Sequence, residues 1–258
     1  MWLLAASIFV GAKWLTVADA GLRSGLPRGR VGAYLLLWPG LDFRGFVSDT
    51  RPARPSFAEW FMAVANMAFG AAIVWGGVRL VPSRYPLLTG WVGMVGIVFV
   101  LHFGIFHLFS NVWRAAGVNA PPLMANPIGA TSLAGFWGGK WNKAFNDLMA
   151  PHVFAPIARR FGTTVAVFAV FLVSGLLHEI VISLPAWGGF GLPTLYFAIQ
   201  GAGLLLERSA YGRKFGLGRG FRGWAFTAIV TGGPAFWLFH PIFVRHVILP
   251  MLRAIGAL

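Results

Sequence analysis

Long runs of apolar residues dominate the chain, and polar positions are concentrated between them. A helix that crosses the roughly 30 Å hydrocarbon layer needs about 20 predominantly apolar residues. Segments of about that length predict about six crossings, with the fifth marginal: 2–18, 57–80, 86–109, 161–184, 192–206 and 223–240. A shorter run, YLLLWPGL (34–41), is interrupted by Pro39 and is interpreted as re-entrant or interfacial. The pattern predicts an all-α, polytopic integral membrane protein.

The connection 111–160 is too long and too aromatic for an idle loop. Between residues 136 and 149 its apolar side chains recur at intervals of one helical turn, at Trp137, Trp141, Phe145 and Leu148. This spacing predicts an amphipathic helix that lies in the membrane interface. Because no internal repeat or appended soluble segment is visible, we expect one domain over 1–258, with 111–160 as its active-site segment.

Composition supports a membrane protein and narrows its chemistry. Of the 258 residues, 57% are hydrophobic and 11% are charged, and the mean hydropathy is +0.72, outside the range of soluble domains. The chain has no cysteine, which excludes disulfides, thiolate metal sites, a thiol nucleophile and cysteine-based palmitoyl transfer.

The net charge of +14 could indicate a nucleic-acid partner, but the distribution of the charges argues against one. Basic residues are concentrated in 111–160 and 207–222 and are absent from 185–191. By the positive-inside rule the first two segments are cytosolic and the third is external. This predicts a multi-pass protein in contact with membrane lipids, in the cell inner membrane if the source is bacterial.

The stretch FLVSGLLHEI (171–180) places His178 and Glu179 within an apolar run. An ionisable residue at membrane depth is a functional hypothesis by default, although a neutral histidine bonded to a neighbouring helix remains an alternative. A zinc-protease signature would need a second histidine at position 182, which is Ile182, so we predict no metal site. Ser174, one turn before His178, could form a Ser–His pair, but no Gly-x-Ser-x-Gly motif is present.

Two segments together resemble a known family: FWGGKWNKAFNDLMAPHVFAPI (136–157) and FLVSGLLHE (171–179). They are similar to the paired signature of the membrane-bound O-acyltransferases, in particular the long-chain-alcohol (wax ester synthase) branch. Further similar stretches are LLLWPGLD (35–42), PTLYFAIQGAGLLLERS (193–209) and LFHPIFVRHVILPMLRAIGAL (238–258).

The resemblance implies helices around a catalytic tunnel, with His178 and Asn142 as the catalytic residues. It also implies long-chain acyl-CoA as donor, a fatty alcohol or other hydroxyl lipid as acceptor, and no cofactor besides the acyl-CoA co-substrate. Substrate contacts are expected from Trp137, Lys140, Trp141 and Lys143. His178 would take the acceptor's proton, and Asn142 would orient the donor or stabilise charge on the thioester oxygen.

The chain departs from the family pattern at three positions on either side of Trp137. Family members often carry arginines and an aspartate here, whereas this chain has Ala134, Gly135 and Gly139. Lys140 and Lys143 would then supply the contact with the CoA phosphates. A transporter or channel in which a histidine relays protons is the alternative, since proline and glycine also break its spans.

Overall fold

The computed structural model describes residues 1–21 and 28–258, and every regular element in these ranges is helical. Residues 22–27 lie outside the described residues. They include Arg23, one of the basic residues of 19–56, a segment that the positive-inside rule also assigns to the cytosol. The first helices are α1 Trp2–Ala20, α2 Arg28–Leu37, α3 Phe43–Val47, α4 Phe57–Trp75, α5 Pro86–Val98 and α6 Phe106–Ala115. The middle helices are α7 Leu133–Gly135, α8 Lys143–Met149, α9 Ala155–Phe161, α10 Thr163–His178 and α11 Leu184–Ala186. The last are α12 Leu192–Arg208, α13 Ala210–Phe215, α14 Gly220–Gly232, α15 Ala235–Leu238, α16 Pro241–Phe243 and α17 Leu249–Ala254.

Across 1–21 and 28–258, wider π-helical turns interrupt the regular helices at five places: Phe99–Ile105, Phe136–Lys140, Ala150–Phe154, Glu179–Ser183 and Val244–Ile248. Such turns insert an extra residue, rotate the side chains that follow, and are frequent at functional sites. Two of them adjoin the predicted site, one before Asn142 and one directly after His178.

Within the described residues, four helical segments are long and apolar enough to cross a membrane: Trp2–Ala20, Phe57–Leu80, Pro86–Ala115 and Thr163–Ala186. A fifth is gained if Gly220–Leu238 and Pro241–Ala254 count as one broken span. The prediction of an all-helical integral membrane protein is confirmed, but the predicted number of six crossings is not. The predicted span 192–206 is the 17-residue helix α12, whose length of about 25 Å falls short of the roughly 30 Å hydrocarbon layer.

The chain forms two compact units, one of residues 6–124 and 248–258 and the other of residues 1–5 and 125–247. In the first unit, α2 ends at Leu37, just before Pro39, because proline disfavours a helical residue ahead of it. The buried Lys13 ammonium donates to the carbonyls of Tyr34 at 2.9 Å and Gly40 at 2.6 Å. These bonds satisfy carbonyls beside the interrupted helix that would otherwise be costly to bury.

The second unit is organised around the close pairing of α10 and α12. A Cβ added at Gly175 would lie 2.8 Å from the Cα of Thr194, so the backbones meet where no side chain fits between them. Phe171 packs against Phe197 further along the pair, with ring centroids 6.4 Å apart.

One predicted element is wrong: residues 136–149 do not form a single amphipathic helix. The π turn Phe136–Lys140 closes with a bond from the Trp141 amide to the Phe136 carbonyl at 2.8 Å, and Trp141 is extended. Asn142 then takes a left-handed conformation, with φ 46°, and α8 begins at Lys143. Because a left-handed residue cannot continue a right-handed helix, the segment is divided there.

The crossing predicted for 192–206, which the length of α12 leaves unconfirmed, can be tested together with its orientation at the two ends of this helix. Phe190 is 60% exposed and Tyr211 is 72% exposed, and the positive-inside rule assigns the first to the external side and the second to the cytosol. In vesicles of known orientation, we expect Phe190→Cys to react with an impermeant maleimide only from outside and Tyr211→Cys only from inside. The parent chain has no cysteine, so it serves as the unlabelled control. Labelling of both positions from one side would contradict a crossing by α12.

Candidate active site

A cavity of about 490 Å³ lies within the second unit, in the size range of small-molecule sites. Its wall is formed by some of the side chains of the segment 134–154, of α10, of α12 and of the α14–α15 region. Both predicted catalytic residues, Asn142 and His178, line it, as do Trp137 and Trp141. The rest of the lining is mostly aromatic and aliphatic, which suits a lipid substrate.

His178 is the last residue of α10 and is held in a defined orientation. Its Nδ1 lies 2.7 Å from the Ser174 carbonyl oxygen. Because a carbonyl oxygen can only accept, Nδ1 carries the hydrogen and Nε2 of the neutral ring keeps a lone pair. The ring packs against Phe197 at a centroid distance of 4.6 Å. This arrangement suits a general base whose orientation is fixed by the backbone.

Ser174 is not arranged as a nucleophile. Its hydroxyl donates to the Val170 carbonyl at 2.9 Å, the common pattern for a buried helical serine. His178 is bonded to the serine's backbone oxygen and not to its hydroxyl. The geometry therefore provides a base without an activated serine.

Glu179, adjacent to His178, has a structural role. Its Oε1 accepts from the backbone nitrogens of Gly191 at 3.0 Å and Thr194 at 3.1 Å, and from the Thr194 hydroxyl at 2.9 Å. A carboxylate that satisfies N–H groups at the start of a helix is favoured there by the helix dipole. Glu179 thus joins the end of α10 to the start of α12.

Asn142 lines the cavity from the N-terminus of α8. Asparagine tolerates its left-handed backbone better than most residues. Its Oδ1 accepts from the Phe145 amide at 3.3 Å and caps the helix. Because an amide oxygen can only accept, the group of Asn142 that can stabilise a developing oxyanion is its NH₂.

The two predicted tryptophans are fixed in different ways. Trp141 stacks on Phe136, with centroids 5.9 Å apart and planes inclined by 7°. The Trp137 indole donates to Oε1 of Gln200 at 3.3 Å and packs edge-on against Phe171. Both tryptophans of the cavity lining are therefore held in place by contacts with neighbouring side chains.

Gln200 is fully buried in α12 and bridges two parts of the cavity wall. While its Oε1 accepts from Trp137, its Nε2 donates to the Val230 carbonyl at 2.7 Å. In an unbroken helix that carbonyl would accept from the amide of residue 234, but Pro234 has none. The glutamine thus satisfies the carbonyl that the proline leaves without its usual partner.

Glu207, also buried, anchors the start of the segment that carries the tryptophans. Its carboxylate accepts from the Leu133 amide at 2.5 Å and from the Ala134 amide at 3.2 Å. Charge-assisted bonds of this kind are about twice as strong as neutral ones. The end of α12 and the start of the tryptophan-bearing segment are therefore held together.

The two predicted phosphate-binding lysines have other partners. Lys143 pairs with Asp147 at 2.6 Å, and Lys140 donates weakly to the carbonyls of Asn126 at 3.5 Å and Gly129 at 3.4 Å. Neither belongs to the described cavity lining. Their assignment as phosphate contacts stays a prediction, and the geometry of the cavity gives it no support.

Three residues of α12 that belong to the site were not predicted from the sequence. Gln200 and Glu207 hold parts of the cavity wall together, and Arg208 lines the cavity. Gln200 could have been found by the criterion that identified His178, because it is a polar residue inside an apolar run. Glu207 and Arg208 follow that run, where charged residues are ordinary, so the sequence gives no comparable signal for them.

Comparison with known proteins supports the predicted resemblance. Residues 120–193, which include Trp137, Asn142 and His178, match the Membrane bound O-acyl transferase family. A long-chain-alcohol O-fatty-acyltransferase of Simmondsia chinensis is 30% identical, over 58% of this chain and 48% of the relative.

Two proteins of Arabidopsis thaliana extend the comparison. One named probable long-chain-alcohol O-fatty-acyltransferase 9 is 30% identical, over 76% of this chain and 61% of the relative. One named acyl-CoA–sterol O-acyltransferase 1 is 29% identical, over 34% of this chain and 27% of the relative. The matches span no more than 61% of the length of these relatives. Across the segment that carries its candidate catalytic residues, the chain is similar to the membrane-bound O-acyltransferases and to their long-chain-alcohol branch, as its motifs predicted.

Proposed function

We propose that this protein is a multi-pass membrane O-acyltransferase that moves a long-chain acyl group from acyl-CoA to the hydroxyl of a long-chain alcohol. The observation that carries the proposal is the presence of His178 and Asn142 in one largely apolar cavity. The similarity to long-chain-alcohol O-fatty-acyltransferases supports this acceptor class. The similarity also favours an acyltransferase over the transporter alternative.

In the proposed reaction, Nε2 of His178 takes the proton of the alcohol hydroxyl as its oxygen attacks the thioester carbon. The carbonyl oxygen gains the negative charge, and the NH₂ of Asn142 donates a hydrogen bond to it. The tetrahedral intermediate then breaks its carbon–sulfur bond, the CoA thiolate leaves, and the imidazolium returns the proton to that sulfur. Neither a covalent acyl-enzyme nor a cofactor takes part.

Water is the competing nucleophile, and the aromatic lining provides the means to exclude it. A dry site also strengthens the hydrogen bond to the oxyanion, because the local dielectric is low. We therefore expect alcohol to be strongly preferred over water as acceptor.

The proposal is tested by mixing purified protein with palmitoyl-CoA, with and without hexadecanol, and following free CoA with a thiol reagent. The chain has no cysteine, so the reagent reports only CoA. We expect thiol release to depend on the alcohol and to match the amount of hexadecyl palmitate detected by mass spectrometry. A sterol is the second acceptor to test, given the sterol acyltransferase relative. Absence of ester with every acceptor, together with solute flux in liposomes, would favour a transporter.

A further inference from the structure

The geometry points to Arg208 as the residue that binds the phosphates of the acyl donor, an inference that rests on the proposed function. Arg208 is the last residue of α12 and lines the same cavity as His178 and Asn142. Among the described lining residues it is the only one with a permanent charge, since the others are apolar, neutral polar or the histidine itself. The guanidinium of Arg208 is thus the permanent positive charge in an otherwise neutral cavity wall, as far as the described lining residues show.

The position of Arg208 along α12 matches the dimensions of the donor. His178 packs against Phe197, and Phe197 and Arg208 are separated by about 16 Å at the roughly 1.5 Å rise per helical residue. In a CoA thioester about 13 bonds join the sulfur to the first phosphorus, an extended length of about 16 Å at roughly 1.2 Å per bond. A thioester at His178 would therefore bring its phosphates to Arg208.

The charges around Arg208 leave its guanidinium available to an anion. The neighbouring carboxylate of Glu207 is buried and accepts from the amides of Leu133 and Ala134. Arg208 takes part in none of the ion pairs found among the described residues. The Arg213 guanidinium donates to the Arg208 carbonyl, which offsets the partial negative charge at the end of α12.

The connection that follows adds to the positive potential. It carries Arg213, Lys214, Arg219 and Arg222 and no acidic residue. Such a field raises the local concentration of a polyanionic ligand. A guanidinium can bind phosphate through two parallel hydrogen bonds, whereas an ammonium acts as a point charge.

An anionic lipid headgroup offers the same phosphate chemistry, so the test must separate the two sources. We suggest equilibrium binding in nanodiscs of neutral phosphatidylcholine, with hexadecyl-CoA and hexadecyl-pantetheine thioethers as unreactive probes. The second probe has the same arm and chain without the phosphates. For Arg208→Gln we expect the Kd of hexadecyl-CoA to rise about tenfold and that of hexadecyl-pantetheine to stay unchanged. Arg84→Gln, which alters a basic residue outside both this connection and the cavity lining, should change neither value.

Three outcomes would overturn the inference. Equal weakening of both probes would mean that Arg208 shapes the cavity and does not bind phosphate. An effect seen only when anionic lipid replaces the neutral lipid would assign Arg208 to headgroups. If the Kd of hexadecyl-CoA rose tenfold in the Lys140→Gln/Lys143→Gln double variant and did not change in Arg208→Gln, the phosphate contact would belong to those lysines. Because binding is measured without turnover, a missing transfer activity with an intact Arg208 effect would contradict only the proposed function.

Discussion

Replacing His178 with alanine is expected to lower kcat for alcohol acylation by about 10²–10⁴, the usual contribution of a general base. The ring Nε2 is the proton acceptor in the proposed reaction, and alanine has no group to replace it. Since Nδ1 bonds only the backbone carbonyl of the preceding turn, we expect a small loss of melting temperature. The measurement is turnover of palmitoyl-CoA with hexadecanol, combined with a thermal melt of the same preparation.

His152 offers a matched control for this experiment. Its Nδ1 bonds the Leu148 carbonyl at 2.9 Å, the same one-turn pattern as in His178, but it does not belong to the described cavity lining. His152→Ala should therefore keep most of the transfer activity. If His178→Ala unfolds the protein, or if both variants lose activity equally, His178 has a structural role and the proposed mechanism is wrong.

Replacing Asn142 with aspartate is expected to lower kcat by about 10²–10³, the effect of removing one oxyanion donor. Aspartate has nearly the same shape, and its carboxylate can still accept from the Phe145 amide that Asn142 caps. It tolerates the left-handed backbone as well. What it lacks is the NH₂ donor, and it places a negative charge where the transition state develops another. Turnover should fall while the melting temperature changes little.

Asn126 provides the control for this substitution. It has the same left-handed conformation, with φ 52°, and the same cap, its Oδ1 accepting from the Gly129 amide at 3.2 Å. It lies outside the described cavity lining, so Asn126→Asp should leave kcat near that of the parent. An Asn142→Asp variant with similarly preserved turnover would show that Asn142 only caps its helix.

The apolar pattern predicted the helical class and much of the site, because these follow from local sequence. His178 was detectable as an ionisable group in an apolar run, and Asn142, Trp137 and Trp141 through the family motif. For residues 136–149 the same periodicity predicted a single helix, which is wrong. Trp137, Trp141 and Phe145 have the spacing of one helical face and all line the cavity, but they do so from a π turn, an extended residue and a separate helix.

What the sequence did not reveal depends on contacts between distant segments. The role of Glu207 is set by the amides of Leu133 and Ala134, and no local pattern indicates that these segments meet. In the sequence, Arg208 is one of several basic residues in a connection that is predicted to be cytosolic. Only the fold distinguishes it from them, by placing it on the cavity wall. The periodicity of apolar residues gives no information about such contacts between segments that are distant in the sequence.

The bridge made by Gln200 has a consequence for how this region can change over evolution. Restoring an amide at position 234, as in Pro234→Ala, would give the Val230 carbonyl a donor of its own and leave the Nε2 of Gln200 with a competitor. Losing Gln200 while keeping the proline would instead bury both a carbonyl and the Trp137 indole without partners. Positions 200 and 234 should therefore covary among homologues, and a library that varies the broken helix should encode both together.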